Sequence, residues 1–303
     1  MQSLTLSFTK HKILLISQFI TFLCVIFALF SSDFYQNIIA LLGILSFGIL
    51  HGANDIKIID KNSGNNKKNK KVTFFALYIS VVILGIVIFY FIPGTALLSF
   101  VLVSCYHFGE QHFEKIIKTK KGRSLFYFSY GAFVFLMLFS LNYIDTAEVI
   151  FQISRKLLPF NFFLYGLIFT SITLAIQILF HFKDLILFAQ EFFLLGLLAL
   201  LFASGNLLFS FGVYFIVWHS LPSLNTQIKF LYNNNITNKI AYRKYLKAAF
   251  LYWVLALGSL AVAYFFTDIP QDQFLTLFFS FLAAITFPHA IVMERMFSFH
   301  RNQ

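Results

Sequence analysis

The sequence predicts an all-α fold, a polytopic transmembrane bundle of about ten spans with both termini cytoplasmic. Three observations carry that reading. Of 303 residues, 59% are hydrophobic and only 12% are charged, and the mean hydropathy of +0.80 excludes an ordinary soluble domain. Apolar runs of roughly 17 to 22 residues, each long enough to cross ~30 Å of hydrocarbon as a helix, recur along the whole chain. With the N-terminus inside and ten spans, all of the 23 Lys and Arg residues fall on the inner side except Arg155 and Lys156.

Taken in order, the first span lies near 13–31, behind Lys10 and Lys12. Its basic start resembles a signal peptide, but the run is long and no Ala-x-Ala site follows, so it is read as a retained helix. The short polar connection from Ser31 to Gln36 leads to a span near 37–55, which ends in HGAND, and the basic cluster from Lys61 to Lys71 follows. Spans near 72–92 and 94–113 are joined at Pro93, and the second ends in HFGEQHFE before the cluster from Lys115 to Arg123. The span near 125–143 is followed by the segment from Asn142 to Phe160, the one outer connection long enough to hold a short helix. Spans near 161–181 and 184–203 precede Ser204 and Gly205, then 206–224 carries WHSLPS, and a basic stretch runs from Lys229 to Lys247. The last two spans, near 248–266 and 273–293, are joined across Asp268 to Asp272, and the final one contains FPHAIVMER.

The net charge of +11 sits in the connections, where it sets topology and meets anionic lipid head groups, so no nucleic-acid partner is expected. Cys24 and Cys105 both fall inside apolar spans, which implies packing and no disulfide framework. The 44 Phe residues accompany an excess of Ile, Lys and Asn, and any lipid-facing helix uses Phe freely, so their number alone does not indicate a substrate channel. No polar stretch exceeds about 20 residues, and residues 1–303 therefore read as a single integral-membrane domain.

Four of the eight histidines lie at nearly one depth. His51, His107, His219 and His289 fall about 13 to 15 residues into their spans, at ~1.5 Å of rise per residue. One buried histidine is often only a packed, hydrogen-bonded side chain. Four at one level on separate helices argue for a shared site, because ionisable groups inside a membrane are costly and usually face the bundle interior. Asp55, four residues after His51, shares its helical face and can orient that imidazole or a neighbouring ligand. Glu110 and Glu114, three and seven residues after His107, share its face, whereas His112 is turned roughly 140° away and reads as interfacial. Pro222 follows His219 and predicts a break just beyond it, and Pro288 directly precedes His289. His11, His181 and His300 fall at inner interfaces, and Glu191 lies inside the seventh span as a buried carboxylate of no evident purpose.

Neutral imidazoles suit Fe, Zn and Cu. Zinc would serve hydrolysis, and iron with an open position would serve dioxygen chemistry. The same histidines can also relay ions in a transporter, although no repeat relates the two halves of the chain. No Lys lies deep inside a span, which excludes a retinal Schiff base of the rhodopsin type.

In this order and on these helices, the four motifs resemble the Brp/Blh family of bacterial and archaeal β-carotene 15,15′-dioxygenases, integral membrane proteins that split β-carotene into two retinals. HGAND at His51 resembles the family's His-Gly-x-x-Asp, HFGEQ at His107 its His-Phe-Gly-Glu, WHS at His219 its third histidine segment, and PHAIV at His289 its closing Pro-His. That third segment commonly carries a second histidine four residues on, where Ser223 stands here. Either His289 completes the ligand set or the metal is bound differently.

The resemblance implies Fe(2+) held by His51, His107, His219 and His289, with Asp55 and Glu110 as outer partners. It further implies O2 and a carotenoid drawn from the lipid bilayer as reactants, a multi-pass location in the inner (plasma) membrane, and retinal as product for a rhodopsin. An oxygenase acting on another carotenoid or isoprenoid lipid, and an ion-coupled transporter, stand as the other readings.

Overall fold

The computed structural model describes residues 2–62, 68–117, 119–181, 185–232, 238–266 and 274–301. Parts of the three basic clusters, the Asp268 to Asp272 connection, and the side chains of His11, His181 and His300 lie outside the described residues. The architecture is all-helical, with no strand among the described residues. Helices α1 (Gln2–Phe30), α2 (Asp33–Gly43), α3 (Asp55–Asn62), α4 (Lys68–Phe91), α5 (Pro93–Phe113), α6 (Arg123–Leu141) and α7 (Tyr143–Ser154) form the first half. The rest is α8 (Phe160–His181), α9 (Leu185–Ser204), α10 (Leu207–Val213), α11 (Leu221–Tyr232), α12 (Asn238–Phe266) and α13 (Phe274–Arg301). Two π-helical stretches, Ile44–Gly48 and Tyr214–Ser220, continue α2 and α10.

Among the described residues, seven stretches are long and apolar enough to cross a membrane: Ile13–Phe30, Val72–Phe91, Arg123–Leu141, Phe160–Phe180, Leu207–Tyr232, Lys239–Phe266 and Leu277–Phe299. The fully described part of α9, Phe188–Ser204, is apolar as well. The expected spans at 37–55 and 94–113 are helical, but neither is among the seven. The first is divided into α2, a π-helical stretch and a turn before α3, and the second is diluted by Ser104, His107 and Glu110. The expected short helix between Asn142 and Phe160 is α7, which ends where Arg155 takes φ 57°.

Burial sorts centre from periphery. Of the stretch Leu207–Tyr232, 83% is buried, against 6% of Val72–Phe91 and 11% of Lys239–Phe266. The chain from α10 to α11 is thus the axis of the bundle, and α4 and α12 present apolar side chains outward, as a lipid solvent permits. At one end of the axis, Asn206 caps α10 by accepting from the Phe209 backbone N–H at 3.0 Å, while its own N–H donates to Gln36 Oε1 at 2.9 Å. Deeper in, Trp218 Nε1 donates to Thr21 Oγ1 at 2.9 Å and ties the axis to α1.

Close approach of helices depends on a few glycines. A Cβ on Gly109 would fall 1.9 Å from the Tyr127 carbonyl oxygen, and one on Gly131 would fall 1.8 Å from that of Cys105. The backbones of α5 and α6 therefore touch at two reciprocal points, the small-residue contact that brings membrane helices together. The π-helical stretches also meet, with a Cβ on Gly48 falling 2.6 Å from the Phe215 ring.

Candidate metal centre

Each of the four histidines is delivered by a local irregularity or a tight helix contact. His51 follows the first π-helical stretch, at the turn His51–Asn54 where the helix is interrupted before Asp55 opens α3. His219 lies inside the second π-helical stretch, and π-helical turns occur frequently at functional sites. The break expected from Pro222 is not seen: the helix runs on from Leu207 to Tyr232, π-helical over Tyr214–Ser220 and α-helical again from Leu221, so the N–H that Pro222 lacks falls just after the change of hydrogen-bond register. His107 is two residues from Gly109, so the α5–α6 contact fixes its height. His289 follows Pro288, and α13 passes through both as continuous helix.

The four rings form a closed circuit. Ring centroids of His51 and His289 are 4.6 Å apart, His289 and His107 5.2 Å, His107 and His219 4.7 Å, and His219 and His51 5.1 Å, with interplanar angles from 76° to 88°. Ring nitrogens of His51, His219 and His289 all come within 4.8 Å of one another, a set tight enough to hold a metal ion. His107 borders His219 and His289 from outside that tighter set.

Hydrogen bonding fixes which nitrogens face inward. His51 Nδ1 donates to the Gly48 carbonyl, which leaves Nε2 with its lone pair and no protein partner. His289 Nδ1 donates to Asp55, 2.9 Å from Oδ1 and 3.1 Å from Oδ2, which again leaves Nε2 without a partner. Asp55 is itself oriented by Tyr78, whose hydroxyl donates to Oδ2 at 3.2 Å. His219 Nδ1 and both ring nitrogens of His107 are buried without partners as well. An unsatisfied buried polar group costs about 1–3 kcal/mol. An ion that accepts one lone pair from each ring accounts for four of these five atoms, the fifth being the second ring nitrogen of His107, which carries the proton. The donor set, neutral imidazoles with one carboxylate behind them, fits a transition metal.

Asp55 thus serves His289, the neighbouring-ligand alternative, while His51 is steadied by its own backbone. Glu110 is buried and accepts from Tyr106 at 3.5 Å. His112 does turn away from the circuit, and it is half-buried: its Nε2 lies 3.0 Å from Glu191 Oε2, and its ring stacks on Tyr130 at 5.2 Å. Glu191 thereby gains a partner that the sequence did not reveal. Ser223 accepts from Gln227 Nε2 at 3.0 Å, and the Tyr245 hydroxyl lies 2.7 Å from Gln227 Oε1 and 3.1 Å from the His51 carbonyl. Asn54 Nδ2 donates to the Tyr245 carbonyl at 3.1 Å, so the HGAND turn is strapped to α12. Ser223 stood out in the sequence only as the place of a missing histidine and Asn54 only as part of HGAND; Gln227 and Tyr245 carried no signal.

The centre lies against a cavity of about 340 Å³ lined by all four histidines and otherwise by mostly apolar side chains. Phe108 stacks on His219 at 4.0 Å, and Phe215 lies parallel to the same ring at 5.5 Å. Apolar walls with a few convergent polar groups are the usual form of a small-molecule site.

A family model described as beta-carotene 15,15′-dioxygenase matches residues 42–297. The chain belongs to this family. No curated protein and no solved structure gives a significant match. The dioxygenase family match begins just before the first π-helical stretch and runs past His289, so it spans the entire histidine circuit. α1 lies outside it and contributes Thr21 to the hydrogen bond with Trp218.

Proposed function

We propose that the protein cleaves β-carotene at its central double bond with O2, giving two molecules of retinal, at a non-haem iron centre in the membrane. The reaction balances without another reductant: one C=C bond is broken, two C=O bonds form, and both oxygen atoms of O2 enter the two products. His51, His219 and His289 would hold the metal, with His107 completing the set. When bound, Fe(2+) supplies the activation of dioxygen that no protein side chain offers. The observation that carries the reading is the convergence of unpartnered imidazole nitrogens on an apolar cavity.

The remaining roles follow from the residues. Asp55, held by Tyr78, keeps the proton of His289 on Nδ1 and its lone pair inward. Phe108 and Phe215 fix the plane of His219 and exclude water from one side of the circuit. A hydrocarbon substrate offers no hydrogen bond to read, so the bond that reacts is selected by where the walls place it relative to the histidines. Glu110 is assigned an outer role beside His107. The chain would cross the inner (plasma) membrane about ten times with both termini cytoplasmic, a placement that the distribution of Lys and Arg supports. Released retinal would be available to a rhodopsin.

Expression in a β-carotene-producing bacterium tests the proposal. Loss of carotenoid colour, appearance of retinal and co-purification of iron are expected. Unchanged colour together with an iron-free purified protein would overturn it.

A further inference from the structure

We propose that the substrate reaches the histidines sideways from the bilayer, through the gap between α4 and α12, and that Val82 and Ala256 set the width of this passage. The inference rests on the carotenoid-cleaving reading for the identity of the substrate, but its geometry is independent of that reading.

The cavity has a buried floor and an exposed apolar mouth. At the floor, His51, His107, His219 and His289 are each no more than 4% exposed. At the other end the same cavity is lined by Phe75, Ile79 and Leu255, which are 45%, 38% and 59% exposed on the outer surface of the bundle. Phe75 and Ile79 belong to α4 and Leu255 to α12, the two helices with the least buried apolar stretches of the seven. Both flank α13, against which α4 packs closely and α12 only sparsely, so the wall is thinnest between them.

The chemistry of the mouth matches lipid and not water. Three of its four hydroxyl-bearing side chains are occupied by the protein, Tyr252 being the fourth: Ser259 donates to the Ala256 carbonyl at 2.8 Å, Thr286 to the Leu282 carbonyl at 2.6 Å, and Tyr78 to Asp55. On the far side of the circuit, Phe108 and Phe215 stack at 5.8 Å and close the cavity. Val82 and Ala256 line the cavity from the two helices, and both are half-buried, at the step between mouth and floor.

The test uses the full chain in phospholipid vesicles. Binding is read as saturable quenching of the two tryptophans, Trp218 and Trp253, by β-carotene, and turnover is read as retinal formed. Ala256→Phe and Val82→Phe are expected to weaken binding and slow initial cleavage by about ten-fold or more, as overpacking of a confined passage should, with iron content unchanged. Leu251→Phe, on α12 but 61% exposed and outside the cavity lining, is expected to behave as the parent protein. If both cavity variants bind β-carotene as the parent does, or if the parent shows no saturable binding, the passage is wrong. If the parent binds without cleaving and the variants lose binding, the passage stands and the dioxygenase reading falls.

Discussion

His289 Nδ1 lies 2.9 Å from Asp55 Oδ1, a contact between the first and last histidine motifs across 234 positions of sequence. Asp55 is within one helical turn of His51 in sequence, but the chain turns between His51 and Asn54, and the carboxylate is delivered to α13 instead. The pair fixes the tautomer of His289, so Asp55→Asn should weaken metal retention by about 10–100-fold, the usual cost of losing a carboxylate behind a ligating histidine. Tyr78→Phe removes one neutral donor to the same carboxylate and should cost far less. Iron content after dialysis against a graded series of chelator concentrations measures both. Equal retention by Asp55→Asn and the parent protein would refute the role.

Alanine at His51, His219 or His289 should each abolish stoichiometric iron binding, because three ligands are the fewest that close this set. His107→Ala should lower iron content as well if its ring, 4.7 Å from that of His219, completes the coordination. Metal analysis of the four purified variants, with His112→Ala as the reference that keeps its iron, makes the comparison.

Gly109→Ala should be among the most destabilising single-methyl additions in the chain. Its Cβ would meet the Tyr127 carbonyl at 1.9 Å, so α5 and α6 must separate, at a cost of about 3 kcal/mol or more. Gly196→Ala and Gly258→Ala meet nothing within 4 Å and should be neutral or stabilising by up to about 1 kcal/mol. Thermal unfolding in detergent separates the two classes.

The His112–Glu191 pair should matter for stability and not for metal. A double-mutant cycle of His112→Ala and Glu191→Gln should give a coupling on the order of 1 kcal/mol, with iron retained in all three variants. Loss of iron on replacing Glu191 would place the pair in the metal site.

Much of the helical architecture was legible because hydropathy and the positions of Lys and Arg are one-dimensional signals. The convergence of His51, His107, His219 and His289 was legible for the same reason, since equal depth can be counted along each span. Which residues stand behind the imidazoles was not. Asp55 was visible as a candidate but its partner was not, because helix azimuth within a bundle leaves no trace in mean hydropathy. Tyr245 and Gln227 look like ordinary polar residues near a helix end until Tyr245 is found 3.1 Å from the His51 carbonyl. His112 and Glu191 are 79 positions apart and meet only because α5 and α9 both face α6.

The two π-helical stretches, Ile44–Gly48 and Tyr214–Ser220, each hold more residues per turn than an α-helix. Alignment of the imidazoles is therefore encoded in residue number as well as residue type. Removing one residue from α2 or α10, ahead of either stretch, would swing everything after it by roughly 100° and take His51 or His219 out of the circuit while every side chain in the motif remained, whereas a deletion inside a stretch would be largely absorbed as the backbone relaxes to α-helix.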